Sequence, residues 1–399
     1  MGHQHSVDLK MQPFKASQGL KTVVVASIAL GIFTLAIGWL QSPQRTWFSF
    51  LTAFVFVVGL SSGGFFFVAI QHIAKAGWST SIRRIGESVT SFFPCILIGS
   101  LVLLGGIKEL YPWARSEVVA SNPVIAAKTG YLNVPFFIVR ALLFSLIMIF
   151  FGKKIVGNSL LQDQSGDEQL THKNLTYSVV WVLLFALSFS FFTVDLLMSL
   201  LPTWYSTIFA IYVFSGSVQS ALAFILLMML YLKNRGYIEG YYGADHMHDM
   251  AKYLKGFSIF WAYIAFSQFM LIWYANIPEE TEFFLMRAYG PWAFYSILLL
   301  ILKFVVPFLV LLPRGSKRSE SVVAAISVLV IISQYMDIYW LVYPNYNYQQ
   351  IVFGFYEIGI LAGVFGIFIL GLVRFFEKHP LVALKDPRLH EALEHHVTY

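Results

Sequence analysis

The sequence predicts an all-α polytopic membrane protein: ten transmembrane helices, arranged as two four-helix bundles (spans 2–5 and 6–9) plus two flanking helices. Composition, the length of the apolar stretches and the placement of the basic residues point to this class. Of 399 residues, 58% are hydrophobic and 12% charged, about half the charged share of a soluble globular domain. Apolar stretches of bilayer-crossing length, about 20 residues each, recur along the whole chain. Lipid leaves no water for open strand edges, so these stretches are helices. They are too long and too continuously apolar for barrel strands. The same composition excludes a disordered chain, a secreted disulfide scaffold and a nucleic-acid binder.

Taken in order, span 1 is Leu20–Leu40. Its apolar run is too long for a cleaved signal peptide, and no small-residue cleavage pattern follows it. Before it, Met1-Gly2-His3-Gln4-His5-Ser6 fits a loose myristoylation pattern that is frequent by chance. Spans 2 to 5 are Thr46–Ile73, Ser88–Leu110, Leu132–Phe151 and Leu175–Leu200. Spans 6 to 9 are Thr203–Leu232, Ala251–Ile277, Pro291–Pro313 and Ser321–Tyr343, and span 10 is Gln349–Phe376. The chain thus divides into a tail with span 1 (1–45), a first bundle (46–200), a second bundle (201–345), and span 10 with a C-terminal tail (346–399).

An even number of spans places both tails on one side. That side carries nineteen Lys and Arg, among them Lys10, Arg83, Arg84, Lys153, Lys233, Arg318 and Lys385. The other side carries five: Arg45, Lys108, Arg115, Lys128 and Arg287. The positive-inside rule then puts both termini in the cytoplasm, and it accounts for the net charge of +6 without a nucleic-acid partner. The bilayer is the first partner the sequence demands. An internal repeat supports the two-bundle division. Thr46-Trp47-Phe48-Ser49 with Gly59 recurs as Thr203-Trp204-Tyr205-Ser206 with Gly216, at the starts of spans 2 and 6. Both copies enter from the same side, which makes it a direct repeat about an axis along the membrane normal.

Ionisable groups inside a membrane are costly and tend to be functional. Asp195 near the outer end of span 5, Asp337 in span 9, Glu357 in the outer third of span 10, Arg140 in span 4 and Lys303 in the middle of span 8 are such groups. Glu87 and His72 fall near the cytoplasmic ends of spans 3 and 2, close to water. Helical spacing aligns Ser327, Gln334 and Asp337; Ser188, Asp195 and Ser199; Tyr212, Ser215 and Gln219; and Tyr263, Ser267 and Tyr274. Such stripes can line a hydrated path, hold a quinone headgroup, or pair helices across a bundle. The candidates for a proton path are Asp195, Asp337, Glu357, Lys303, Arg140, Gln334, Tyr263, Ser267, His72 and Glu87. A quinol gives up two protons on oxidation and wants a carboxylate beside Tyr or Gln. Asp195, Arg140, Tyr212 and Gln219 are the candidates for that pocket.

Resident redox centres are not expected. No histidine lies deep in a span to ligate a membrane haem, and the lone Cys95 cannot build an iron–sulfur or cysteine zinc site. There is no phosphate-binding GxxxxGK[ST] loop. His246-Met247-His248-Asp249 reads as a solvated loop rather than a metal site, and Gly359 and Gly363 form a GxxxG that packs against another helix.

The run from Trp261-Ala262-Tyr263-Ile264-Ala265-Phe266-Ser267-Gln268 through Trp273-Tyr274-Ala275-Asn276-Ile277-Pro278-Glu279-Glu280-Thr281 resembles the signature of NrfD/PsrC-like membrane subunits of the bacterial alternative complex III. Asp195-Leu196-Leu197-Met198-Ser199-Leu200-Leu201-Pro202-Thr203-Trp204 is similar to a second block of that family. The likeness extends over spans 2–9, and the chain's length and Leu201 fit the ActF type of subunit better than ActC. The resemblance implies a multi-pass subunit of the bacterial cytoplasmic membrane. It implies a respiratory complex that oxidises quinol and passes electrons to cytochrome c or an oxidase. Its partners would be a homologous NrfD-like subunit, an iron–sulfur subunit and c-type cytochrome subunits, with haem c and the clusters in those partners. It also implies an outer-side quinol pocket in the first bundle and polar proton paths. The alternative reading from the residues is a stand-alone secondary transporter with a direct repeat, which would show helices broken near the membrane midplane.

Overall fold

A computed structural model describes residues 10–396; the Met1–Ser6 pattern lies outside them. Among these residues ten helices are long and apolar enough to cross a membrane: Gln18–Gln41, Pro43–Ile73, Gly77–Leu110, Val134–Ser165, Gln169–Leu200, Phe209–Asn234, Ala244–Ala275, Pro291–Val310, Glu320–Asn345 and Phe355–Lys378. The chain is an all-α multi-pass membrane protein. Outer helices turn Leu183, Leu187, Phe266 and Phe294 outward, each more than half exposed, as expected where hydrocarbon replaces water.

Spans 2 and 6, the repeat mates, pack against each other at the centre and are buried on nearly all sides. Span 2 also packs against spans 3 and 5, and span 4 lies on spans 3 and 5. Span 6 packs against spans 7 and 9, and span 8 on spans 7 and 9. Spans 1 and 10 pair with each other and lie on span 2. The close approach of the central pair needs small residues. A methyl group at Gly59 would lie 2.7 Å from Ser217 Oγ, and one at Gly63 2.5 Å from the Ser217 carbonyl. The GxxxG glycines play the same part within the chain: Gly363 abuts the Gly31 backbone and Gly359 abuts Thr34, both on span 1.

Both tails lie on one face, referred to here as the terminal face. A two-residue antiparallel ladder joins Lys10–Met11 to Ile238–Glu239, after span 6. The C-terminal tail crosses the same face: Asp386 receives Arg83 of span 3 at 2.5 Å, and His395 meets Asp249 of span 7 at 2.8 Å.

Several expected boundaries move. Span 3 starts well before Ser88, because Arg83 and Arg84 are neutralised by Glu87, Asp386 and Asp163 and need no water. Span 7 starts at Ala244, so His246 and His248 are buried in its first two turns rather than in a solvated loop. Span 6 starts at Phe209, so Thr203-Trp204-Tyr205-Ser206 forms a loop while its mate Thr46–Ser49 is helical. Trp204 is still buried there, stacked on Phe283 at 4.2 Å. Span 10 starts at Phe355, which puts Glu357 in the first helical turn rather than further in. Spans 3 and 8 change helical pitch at Val89–Phe92 and Ile301–Val305 but stay helical throughout.

Candidate functional site

Each bundle holds a buried cation–carboxylate pair between its third and fourth helices. In the first bundle, Asn133 caps span 4 by accepting from Phe136 N at 2.9 Å, and Pro135 sits in the first turn. Arg140 follows on the buried face. Its Nε and Nη2 donate to Asp195 Oδ2 and Oδ1 at 2.6 and 2.9 Å. Its Nη1 donates to the Tyr131 carbonyl at 3.1 Å, and the guanidinium lies over the Tyr131 and Phe136 rings at 3.9 and 4.1 Å. Both members are buried, at 7% and 3% exposure. Such a forked contact fixes both groups in one geometry.

A cavity of about 460 Å³ lies next to this pair, lined by Lys128, Tyr131, Phe191, Met198, Ser199 and Pro202 among others. Ser199 Oγ donates to the Asp195 carbonyl at 2.5 Å, so one cavity wall is bonded directly to the ion-pair helix. At the rim, Lys128 Nζ donates to the Pro202 carbonyl at 2.6 Å, and burial lowers its pKa. Burial, and secondly the Asp195 carboxylate, push the Tyr131 hydroxyl above the ordinary tyrosine range.

In the second bundle Lys303 stands in a π-helical turn, Ile301–Val305, a feature that often re-aims a side chain at functional sites. Its Nζ donates to Asp337 Oδ2 at 2.5 Å and to Gln334 Oε1. Tyr212 Oη donates to Asp337 Oδ1, and Trp261 Nε1 donates to Oδ2 at 3.0 Å. Gln219 Nε2 donates to Ser258 Oγ at 2.8 Å and to the Lys303 carbonyl at 2.9 Å. Gly216 makes room for the ammonium: a methyl group there would lie 2.8 Å from Lys303 Nζ. Lys303 is 0% and Asp337 1% exposed.

The predicted site residues therefore sort into groups. Asp195 and Arg140 come together, as do Asp337, Lys303, Gln334 and Tyr212, with Gln219 on the Lys303 backbone. The four quinol candidates do not share one pocket, because Tyr212 and Gln219 belong to the second bundle. Glu357 is held apart at the opposite face, bonded by Arg45 Nε and Nη2 at 2.8 and 2.7 Å and by Tyr343 Oη at 2.6 Å. Glu87 is fully buried rather than a boundary group. It accepts from Arg84 Nη1 at 2.8 Å, Ser159 Oγ at 2.9 Å and Arg83 Nε at 3.3 Å, while Arg84 also meets Asp163. His72 is 1% exposed, and neither ring nitrogen has a hydrogen-bond partner.

Tyr263 does not join any of these groups. It is 63% exposed and Tyr274 85%, with Ser267 only partly buried. Span 7 instead buries Trp261, Ile264, Gln268 and Ile272, a helical face rotated from the one predicted. Trp261, Ser258 and Tyr131 are the residues the sequence reading missed. One signal was available for the carboxylates. Asp195 and Asp337 are each followed by a proline seven residues on, Pro202 and Pro344, which marks them as counterparts near the same end of each fourth helix.

Among the described residues no three His, Cys, Asp or Glu side chains converge as a metal site. The chain matches no known family model and no curated protein.

Proposed function

We propose that this chain is the NrfD/PsrC-like, ActF-type membrane subunit of a bacterial quinol-oxidising complex of the cytoplasmic membrane, with both termini in the cytoplasm. In this reading it works beside a homologous membrane subunit, and its iron–sulfur and c-haem partners carry the electrons on to cytochrome c or an oxidase. It supplies polar groups for proton movement and an outer-side pocket for quinol in the first bundle. The observation that carries the reading is the Arg140–Asp195 pair beside the 460 Å³ cavity. The cavity has apolar walls for a ring and a tail, and an ionised carboxylate one residue layer away. Tyr131 and Ser199 line the cavity and touch the pair's surroundings: the Tyr131 carbonyl accepts from Arg140, and Ser199 Oγ donates to the Asp195 carbonyl. The Lys303–Asp337 network supports a second proton-handling station, since a buried lysine, unlike arginine, can give up its proton.

The test is haem-normalised activity. Asp337→Asn and Asp195→Asn keep shape and most hydrogen bonding but cannot exchange a proton. They should leave assembled complex with full c-haem content and lowered quinol turnover or proton release. Wild-type turnover and release in both variants would show that the pairs serve packing alone. Co-purification separates the transporter alternative: a c-haem spectrum travelling with the chain supports the complex, and a functional lone chain supports a transporter.

A further inference from the structure

A trough of about 730 Å³ runs along span 7 from the terminal face. Its apolar walls are Phe214 of span 6 with Phe257 and Phe260 of span 7. Its mouth is polar and is assembled from residues far apart in sequence. Trp78, at the start of span 3, stacks on Tyr253 of span 7 at 5.9 Å. Lys252 Nζ lies 3.1 Å from Asp249 Oδ1, and both side chains line the mouth. His395 of the C-terminal tail meets Asp249 Oδ2 at 2.8 Å and lies against Trp78 at 5.8 Å. Tyr253 is 41% exposed, and a methyl group at Gly256 would meet no atom within 4 Å, so the trough is open along its side.

We infer that this trough holds one phospholipid of the terminal-face leaflet, with a headgroup that carries both a phosphate and a primary ammonium. Length, width and charge each support this occupant. From Asp249 to Phe260 the helix rises about 16 Å, and one leaflet contributes about half of a hydrocarbon core of about 30 Å. A volume of about 730 Å³ along that length gives a section of roughly 45 Å², whereas a helix about 10 Å across fills roughly 80 Å². An acyl chain therefore fits over Phe214, Phe257 and Phe260 where a partner helix does not. Phe214 also walls a further apolar hollow of about 230 Å³ with Phe66 and Phe185, which extends the trough toward spans 2 and 5. Trp78 and Tyr253 stand where headgroup and chain meet, the usual place for such rings. At the mouth the phosphate faces Lys252 and the ammonium faces Asp249, whose carboxylate offers about four acceptor positions. A headgroup without a cation would bring nothing to Asp249, and a quaternary ammonium would bring charge but no N–H. The site does not depend on the chain's role in a complex.

The experiment is native mass spectrometry of the full chain in detergent. Dioleoyl phosphatidylethanolamine, phosphatidylcholine or phosphatidylglycerol is added one at a time, and the affinity of the first bound lipid is read. Phosphatidylethanolamine should bind about tenfold tighter than either of the others, the scale of one charge-assisted hydrogen bond. Gly256→Trp fills the trough from a position with open space around it. It should abolish the tight phosphatidylethanolamine site without lowering the melting temperature. Gly157→Trp, at an equally open position on span 4, should leave the site intact. Lys252→Met should weaken all three lipids alike, and Asp249→Asn should bring phosphatidylethanolamine level with phosphatidylcholine. Equal affinities in the unmodified chain, or tight phosphatidylethanolamine binding that survives Gly256→Trp, overturn the inference and leave the trough as ordinary lipid-facing surface. Tighter binding of phosphatidylglycerol overturns it too, because Asp249 would then have no part in selection. No bound lipid at all overturns it and leaves the trough to a partner helix.

Discussion

The two bundles solve the same electrostatic problem with different cations. In each, a carboxylate near the end of the fourth helix is neutralised by a base from the third, and a proline follows seven residues later. The first bundle uses a guanidinium held in two parallel bonds and stacked on Tyr131 and Phe136. The second uses an ammonium surrounded by Gln334, Trp261 and Asp337. Arginine keeps its proton, so any proton the first pair takes up must go to its carboxylate, whereas a buried lysine–carboxylate pair can also exist as two neutral groups. The first pair stands beside a cavity of about 460 Å³. The second stands beside a smaller one, of about 210 Å³, lined by Tyr212 and Trp261.

The most damaging way to probe this difference is to remove one partner. Arg140→Leu strands Asp195, and Lys303→Leu strands Asp337, each a buried charge with no counter-ion. Each single substitution should cost about 3–5 kcal/mol of stability. The companion substitutions, Arg140→Leu with Asp195→Leu and Lys303→Leu with Asp337→Leu, should recover most of it. Thermal unfolding in detergent reads all four variants. The second bundle should tolerate Asp337→Leu alone better than the first tolerates Asp195→Leu, because a stranded lysine can become neutral. Equal losses would erase the proposed contrast.

A smaller perturbation acts through the repeat glycines. Gly216→Ala brings a methyl group to 2.6 Å from Gln334 Oε1 and 2.8 Å from Lys303 Nζ. Gly59→Ala instead presses on Ser217 at the interface of spans 2 and 6. Both overpack a tight site and should cost about 1–3 kcal/mol. Only Gly216→Ala should also lower haem-normalised proton release, in the direction of Asp337→Asn. If Gly59→Ala lowers it as much, the effect travels through the central helix pair and the Lys303 site has no special claim.

Much of this arrangement was legible from residue order. Ten apolar stretches gave ten helices, and the stripes Ser188–Asp195–Ser199, Tyr212–Ser215–Gln219 and Ser327–Gln334–Asp337 are all buried. Those helices have neighbours on several sides, so a polar stripe has little choice but to face protein. Span 7 lies at the periphery and offers two faces on which polar or aromatic groups can sit. Tyrosine is at home against lipid headgroups, so the Tyr263–Ser267–Tyr274 stripe turned outward. Charge clusters misled for the opposite reason. Arg83, Arg84 and Glu87 look like a solvated loop, yet Asp386 lies some three hundred residues away in sequence and completes their neutralisation. Only folding brings those four together.

The C-terminal tail offers the mildest test, because it touches both bundles. On the first it places Asp386 on Arg83 at 2.5 Å, and on the second His395 on Asp249 at 2.8 Å. Burial alone would raise the pKa of Asp386, but the Arg83 charge, its hydrogen bond and the Arg388 N–H outweigh this, so the carboxyl sits below the usual range. A depressed carboxylate contributes stability that is fully present above its unfolded pKa of about 3.9 and is lost as pH falls through the lower folded value. The Asp386 anchor should therefore hold unchanged from pH 7 to pH 5 and loosen only below about pH 4. Asp386→Asn should weaken it at every pH by about 1–2 kcal/mol, a modest loss because Arg83 keeps Glu87. Hydrogen exchange over residues 379–396 reads this directly. In the unmodified chain protection should match at pH 7 and 5, while Asp386→Asn exchanges faster at both without a pH step. Equal exchange over these residues in the unmodified chain and in Asp386→Asn would move the main anchor to the second bundle, where His395 and His396 meet Asp249 and Asp245. The tail would then be fastened chiefly to the bundle that holds the Lys303–Asp337 pair.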